Sequence, residues 1–220
     1  MAWHAIAAAL LTGAATALLA GPLLRWCPEP DDPTDKPLTY QALATPRFRA
    51  GCGLIATAAA LLTWTLAPVH HQPLWTVLSI LGVLIAAVDG ALTWIPARLT
   101  HLAWAAGLTA LALTGLISRH WFTTLTPLLG AVFLGMVFLL VWIITYPNLG
   151  FGDVRFAPLV GAGAVAAAGW PGLTLSILAT TVLAAVQLLV RRLRGSPGLH
   201  PYAPAMLAGP YLSLLIVALR

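Results

Sequence analysis

Charge is what this sequence has least of. Only 8% of its 220 residues are Asp, Glu, Lys or Arg, while 60% are hydrophobic. A soluble domain carries charge on about a quarter of its positions. So small an ionic complement cannot cover a water-exposed surface, which excludes an ordinary soluble enzyme and points to a lipid bilayer. Cysteine is scarce as well. Cys27 and Cys52 are the only two and form no CxxC pair, so neither a disulfide framework nor a zinc knuckle is indicated. A basic nucleic-acid patch is also missing. The formal net charge is +5, but the basic residues sit at the ends of apolar runs, where they report membrane topology. Acids are scarcer than bases, 6 against 11, and four of the six (Glu29, Asp31, Asp32 and Asp35) crowd into one segment.

What the chain does contain is a succession of apolar runs. A spanning helix needs about 20 apolar residues, so this length admits eight at most. The first run, from Ala2 to Leu24, has no Lys or Arg before it and Arg25 just after it. A cleaved signal peptide has the opposite arrangement, so a retained helix with its N-terminus outside is predicted. Residues 25–49 are polar and proline-rich and read as a solvated loop. Seven further runs follow, at about 50–67, 74–94, 99–118, 121–145, 156–170, 172–190 and 202–219. The sixth span, 156–170, is short and rich in Gly and Ala, which suits close packing inside a bundle. The chain thus divides into a first helix with a short cytoplasmic loop (1–49) and a seven-helix core (50–220).

Eight spans that start outside place Arg25, Lys36, Arg47, Arg49, Arg98, Arg155, Arg191, Arg192 and Arg194 inside, and only Arg119 and Arg220 outside. That is a clear positive-inside bias. Trp3, Trp26, Trp75, Trp94, Trp121 and Trp170 fall near span ends and are predicted to anchor at the interfaces. The fold expected is an all-α polytopic membrane protein with about eight transmembrane helices.

Beyond the first loop, Asp89 and Asp153 are the only carboxylates. Asp89 follows the run SILGVLIAAV near the inner end of the third span, and Asp153 lies just before the sixth. The charge bias puts both at the cytoplasmic membrane edge. An ionisable group there is costly and calls for a reason. One reason is structural: each aspartate caps a helix or pairs with a nearby arginine, Arg98 or Arg155. The other is chemical. Two carboxylates in one site cannot both ionise easily, so the pair holds a proton between them. One member then takes a proton from water while the protonated member polarises a peptide carbonyl. Gly150 and Gly152, having no Cβ, let the backbone near Asp153 adopt unusual angles and let a substrate strand come close.

The segment Gly150-Phe151-Gly152-Asp153 resembles the GxGD signature of intramembrane aspartyl proteases. Its surroundings, GFGDVRFAPLVGAGAVAAAGW, are similar to the second active-site region of bacterial type IV prepilin peptidases, including a basic residue two places on, here Arg155. The first active-site region of that family is an aspartate, six residues, a Leu-Pro or Ile-Pro step and a Leu-Thr. This chain reads Asp89-GALTWI-Pro96-Ala97-Arg98-Leu99-Thr100. The tail HPYAPAMLAG, from His200, resembles the segment that opens the family's last helix. The three similarities occur in family order and cover about residues 75–219. The resemblance implies Asp89 and Asp153 as the catalytic pair, with Gly150, Gly152, Pro96, Arg98, Thr100 and Arg155 as supporting motif positions. It also implies a prepilin or pseudopilin substrate whose short basic leader is cut on the cytoplasmic side of the bacterial inner membrane. The chain departs from the family at Gly90, Ala91 and Ala97, where many members carry acids. It also lacks the paired CxxC motifs of the bifunctional members. A peptidase without methyltransferase activity is therefore expected, with no S-adenosylmethionine, zinc or other cofactor.

Two other classes of function compete. A small transporter would use two membrane carboxylates to carry protons or bind a cation, and predicts them near the midplane, facing a pore. A degenerate family member would act in pilus assembly. The histidines offer less. His70 and His71 are adjacent in a predicted outer loop, and His4, His101, His120 and His200 are scattered, with no spacing suited to a metal.

Overall fold

A computed structural model of the chain describes residues 2–29, 39–146, 149–195 and 200–220. Among these residues every regular element is helical. The predicted loop residues Asp31, Asp32, Asp35 and Lys36 lie outside the described residues. The helices are α1 (Ala2–Trp26), α2 (Tyr40–Leu43), α3 (Pro46–Leu66), α4 (Gln72–Val77), α5 (Val83–Leu92), α6 (Ala97–Ser118), α7 (Phe122–Thr145), α8 (Phe151–Leu193) and α9 (Ala203–Ala218). Six helices are long and apolar enough to cross a membrane, the third of them running from Val69 to Leu92 through α4 and α5. Their outward faces are apolar too: Leu11, Leu116 and Ile144 are more than 70% exposed. Water does not tolerate such a surface, whereas lipid requires it, so the chain is built as a polytopic membrane protein.

Local chemistry explains where the helices begin. The polar segment 25–49, read as loop, holds the one-turn α2 and the start of α3. Thr39 Oγ1 accepts from the Ala42 amide at 3.1 Å, and Thr45 Oγ1 accepts from the Phe48 amide at 3.2 Å. Each threonine is therefore an N-cap, and Pro46 stands at the first helical position, where its missing N–H costs nothing. Helix α3 thus starts four residues ahead of the run predicted at 50. Between α4 and α5, Leu78–Gly82 forms a wider π turn. Ser79 inside it shares a 2.9 Å hydrogen bond with the Tyr211 hydroxyl of α9.

Helix α8 is two arms. At Ala168 (φ −162°, ψ 33°) and Gly169 (φ 67°, ψ −151°) the backbone leaves helical geometry, and glycine supplies the positive φ without strain. Contacts show that the chain folds back there. Gly163 packs on Leu78 in the first arm. In the second arm the Gly172 carbonyl accepts from Ser213 Oγ, and Thr180 Oγ1 donates to the Ala205 carbonyl. The second arm therefore runs antiparallel to α9, returning towards the end where α8 began. The predicted runs 156–170 and 172–190 correspond to these arms.

Small residues set the helix spacing. A Cβ at Gly53 would lie 2.9 Å from the Gly13 carbonyl oxygen, and Gly130 and Gly161 meet in the same way between α7 and α8. Such approaches are how helices gain dispersion contact in lipid, where no hydrophobic drive joins them. Trp75 departs from its predicted interfacial place. It is fully buried against Tyr211, ring centroids 5.2 Å apart. The other five tryptophans predicted as anchors, Trp3, Trp26, Trp94, Trp121 and Trp170, are exposed. One hydrophobic cluster joins Ala20, Leu24 and Cys27 to residues of α5, α8 and α9, so α1 packs as part of the bundle.

Candidate functional site

Asp89 and Asp153 lie on different helices at the same end of the bundle. The contact of Leu78 with Gly163 gives the reference level. Asp89 lies eleven residues beyond Leu78 and Asp153 ten residues before Gly163, so at about 1.5 Å per residue both sit some 15 Å from it. Both are buried, Asp89 at 5% and Asp153 at 9% exposure, and Asp153 lies within electrostatic reach of Asp89. They converge on the start of α9. The Ala203 amide donates to Asp89 Oδ2 at 2.9 Å, while the phenol of the preceding residue, Tyr202, lies within electrostatic reach of Asp153.

Each aspartate is placed by a distinct local device. Helix α5 ends at Thr93, whose left-handed backbone (φ 54°) lets its amide donate to the Asp89 carbonyl at 2.7 Å. The chain is then extended into Pro96, the N-cap of α6. Thr100 is buried and donates within the same turn, to the Ala97 carbonyl at 2.8 Å. Pro96 and Thr100 thus build the turn that follows Asp89. On the other side, Gly150 is the N-cap of α8 and Asp153 stands in the first turn. The sequence allows Asp153 to cap this helix, but it does not: Gly150 holds the cap position, and Asp153 Oδ1 is buried without a hydrogen-bond partner. The capping role falls to Asp89, which serves the N-terminus of α9 from another helix.

The glycines act by space and not by unusual angles. Gly150 has an ordinary extended backbone (φ −69°, ψ 133°). Gly152 is helical, and a Cβ there would lie 2.9 Å from the Ile95 Cβ. The two motif regions are therefore in direct contact, Ile95 seated on Gly152. Neither arginine is turned as a simple aspartate partner would be. Arg98 Nη1 donates to the Trp26 carbonyl at 2.9 Å, with its guanidinium 5.5 Å from the Trp26 ring, and so ties the end of α1 to α6. The Arg155 guanidinium stands 5.5 Å over the Phe151 ring, and its backbone carbonyl accepts from Trp104 Nε1 at 2.7 Å. Gly90 and Ala91 are exposed and Ala97 is half-buried.

Residues overlooked in the sequence complete the surroundings. Glu29, read as a solvated loop acid, accepts from the amides of Tyr40 and Gln41 at 3.0 and 3.3 Å, clamping the N-terminus of α2. This brings the Tyr40 side chain, 1% exposed, within electrostatic reach of Arg155 and Cys27. Burial raises the Tyr40 phenol above its ordinary range, so it remains an O–H donor. Thr39 as an N-cap signal before Tyr-Gln-Ala was the cue available in the sequence. Two apolar clefts flank the aspartates. One, of about 440 Å³ between α6, α7 and α8, reaches Phe151, Val154 and Arg155. The other, of about 530 Å³ between α3, α5 and α9, reaches Gly90 and Pro204. Among the described residues no three metal-ligating side chains converge.

Compared with protein-family models, with curated proteins and with solved structures, the chain gives no match.

Proposed function

We propose that this chain is a membrane aspartyl endopeptidase that removes the short basic leader from prepilins or pseudopilins at the cytoplasmic face of the bacterial inner membrane, without methyltransferase activity and without a cofactor. The observation that carries this reading is the placement of Asp89 and Asp153, two buried carboxylates from separate helices, within electrostatic reach at one end of an apolar bundle. In that arrangement one carboxylate accepts a proton from the attacking water while its protonated partner donates to the scissile carbonyl. The resemblance of GFGD and of Asp89-GALTWI-Pro96 to the prepilin-peptidase motifs names the substrate class. The helices are taken as eight spans with the N-terminus outside, α8 counting as two. The aspartate end then faces the cytoplasm, together with Arg25, Arg98 and Arg155. A polar leader joined to an apolar segment suits a site whose carboxylates are bordered by apolar clefts. A proton- or cation-coupled transporter would hold its carboxylates at mid-helix, whereas these stand in the last turns of α5 and the first turn of α8.

The test is co-expression with model prepilins of several classes, with cleavage read by gel shift. The wild-type chain is expected to cleave, and Asp89→Asn and Asp153→Asn each to lose about 10²–10⁴-fold in rate, the usual worth of a proton-transfer group. Cleavage retained by either variant removes that residue from the pair. A wild-type chain that cleaves none of them overturns the reading.

A further inference from the structure

The cleft of about 440 Å³ between α6, α7 and α8 begins at the aspartate end of the bundle. On α8 it runs from Phe151 to Ala162, and on α7 from Leu139 back to Leu128, eleven residues in each case. At 1.5 Å per residue its depth is about 16 Å, close to half of a hydrocarbon core about 30 Å thick. Its far end is closed by helix contact. Thr124 Oγ1 of α7 donates to the Leu111 carbonyl of α6 at 3.1 Å, and Gly130 and Gly161 bring α7 against α8 there. Its side is open, since Leu108, Val132 and Met136 line it and are exposed. The cleft is thus a slot one leaflet deep, entered from the lipid.

The chemistry along the slot is uneven. Arg155 is the only charged residue that lines it, and stands at the aspartate end beside Phe151 and Trp104. Trp104 Nε1 donates to the Arg155 carbonyl at 2.7 Å, and the Arg155 guanidinium lies 5.5 Å from the Phe151 ring. A cation and two aromatic rings therefore share the level at which headgroups meet acyl chains. The other lining residues are apolar or glycine. Such a slot is complementary to an acyl chain that hangs below an anionic headgroup. A transmembrane helix fits it poorly. It would cross both leaflets, whereas the slot ends in the middle. Averaged over its depth the slot has a cross-section of roughly 28 Å², and a helix about 10 Å across needs nearly three times that.

We propose that the cleft between α6, α7 and α8 is a binding site for one phospholipid of net negative charge, with an acyl chain in the slot and the headgroup at Arg155. The site requires only the bilayer and the cleft, so it stands whether or not the chain cleaves prepilins. Phe151 and Val154, which flank Asp153 in the first turn of α8, line the slot. The bound lipid therefore packs against the turn that carries this aspartate.

The test is titration of the delipidated full-length chain, in a maltoside detergent, with dioleoylphosphatidylglycerol or dioleoylphosphatidylcholine, complexes being counted by native mass spectrometry. One phosphatidylglycerol per chain is expected, held about fivefold more tightly than phosphatidylcholine, the worth of one basic side chain facing an anionic lipid. Its binding should raise the thermal midpoint, which inorganic phosphate alone should not do. Arg155→Gln should erase the preference between the two lipids. Ala131→Phe, whose ring fills the slot, should abolish retention of either without lowering the lipid-free midpoint. Met136→Trp, on the exposed rim, obstructs the same slot where folding is not at stake and should weaken both lipids; it decides alone if Ala131→Phe does not fold. Equal affinity of the wild-type chain for the two lipids overturns the headgroup at Arg155, as does an unchanged preference in Arg155→Gln. Retention unchanged by the slot-filling variants means annular lipid only and overturns the site. Displacement of the lipid by a model prepilin, or a dimer that Met136→Trp dissociates, gives the cleft to a substrate helix or to a second copy and overturns it equally.

Discussion

Asp89 and Asp153 have the same side chain, nearly the same burial and the same end of the bundle, yet their surroundings differ in kind. Asp89 is held. Its Oδ2 takes the Ala203 amide at 2.9 Å, so the carboxylate is part of how α9 begins and where it points. Asp153 lies in the first turn of a helix that has amides to offer, but its Oδ1 is unpartnered. The difference teaches how a small bundle can divide labour within a carboxylate pair. One member is fixed by a backbone donor, and the other keeps a buried oxygen without a hydrogen-bond partner. A purely structural account predicts two held carboxylates, and a purely catalytic one predicts two open ones. Neither describes this site.

Stability measurements on variants that both abolish the proposed chemistry sharpen that contrast most. Asp89→Ala leaves the Ala203 amide buried without an acceptor and is expected to cost about 1–3 kcal/mol. Asp153→Ala removes a carboxyl whose inward oxygen has no partner, and its thermal midpoint should be unchanged or higher. Thermal unfolding of both variants in one detergent checks this, and equal losses would erase the distinction between the two sites.

Next in size is Gly152→Ala. Its new Cβ meets the Ile95 Cβ at 2.9 Å, overpacking expected to cost about 1–2 kcal/mol and to tilt the first turn that carries Asp153. Cleavage should fall with it, and Ile95→Ala in the same chain should recover part of both. Failure of that rescue would show that Gly152 acts through something other than contact with Ile95. The smallest effect is expected at Thr100. Its hydroxyl donates to the Ala97 and Pro96 carbonyls of its own helical turn, at 2.8 and 3.5 Å, local bonds that add little to helix stability. Thr100→Val should change stability by about 0.5 kcal/mol or less and leave cleavage intact. A large loss of cleavage there would extend the reacting groups beyond the two aspartates on the Asp89 side.

Much of this was legible along the chain because lipid imposes a one-dimensional rule. Apolar runs of spanning length appear as helices near their predicted limits, with α6 and α7 within two residues of them. The rarity of acids singled out Asp89 and Asp153 without any geometry. The misreadings came where the deciding contact is long-range or where a short polar signal outweighs composition. Trp75 looks like an interfacial anchor by position, and only its seat against Tyr211 makes it core. The Thr39 and Thr45 caps begin helices inside a stretch whose prolines argue for loop. Glu29 seemed one more solvated acid because the amides it accepts from, those of Tyr40 and Gln41, lie 11 and 12 residues further along the chain.

By itself the sequence determined the solvent this protein belongs in, the helical content that solvent demands, and which two carboxylates stand apart from the acids of the first loop. A backbone in hydrocarbon must satisfy its own hydrogen bonds, so an apolar run has almost no alternative to a helix. Only the tertiary structure decided that α8 folds back at Gly169, that Ile95 rests on Gly152, and that the Ala203 amide binds Asp89. These are meetings between residues far apart in the chain. They depend on helix spacing set by small side chains and on directional hydrogen bonds between elements, which leave no periodic trace in the order of residues.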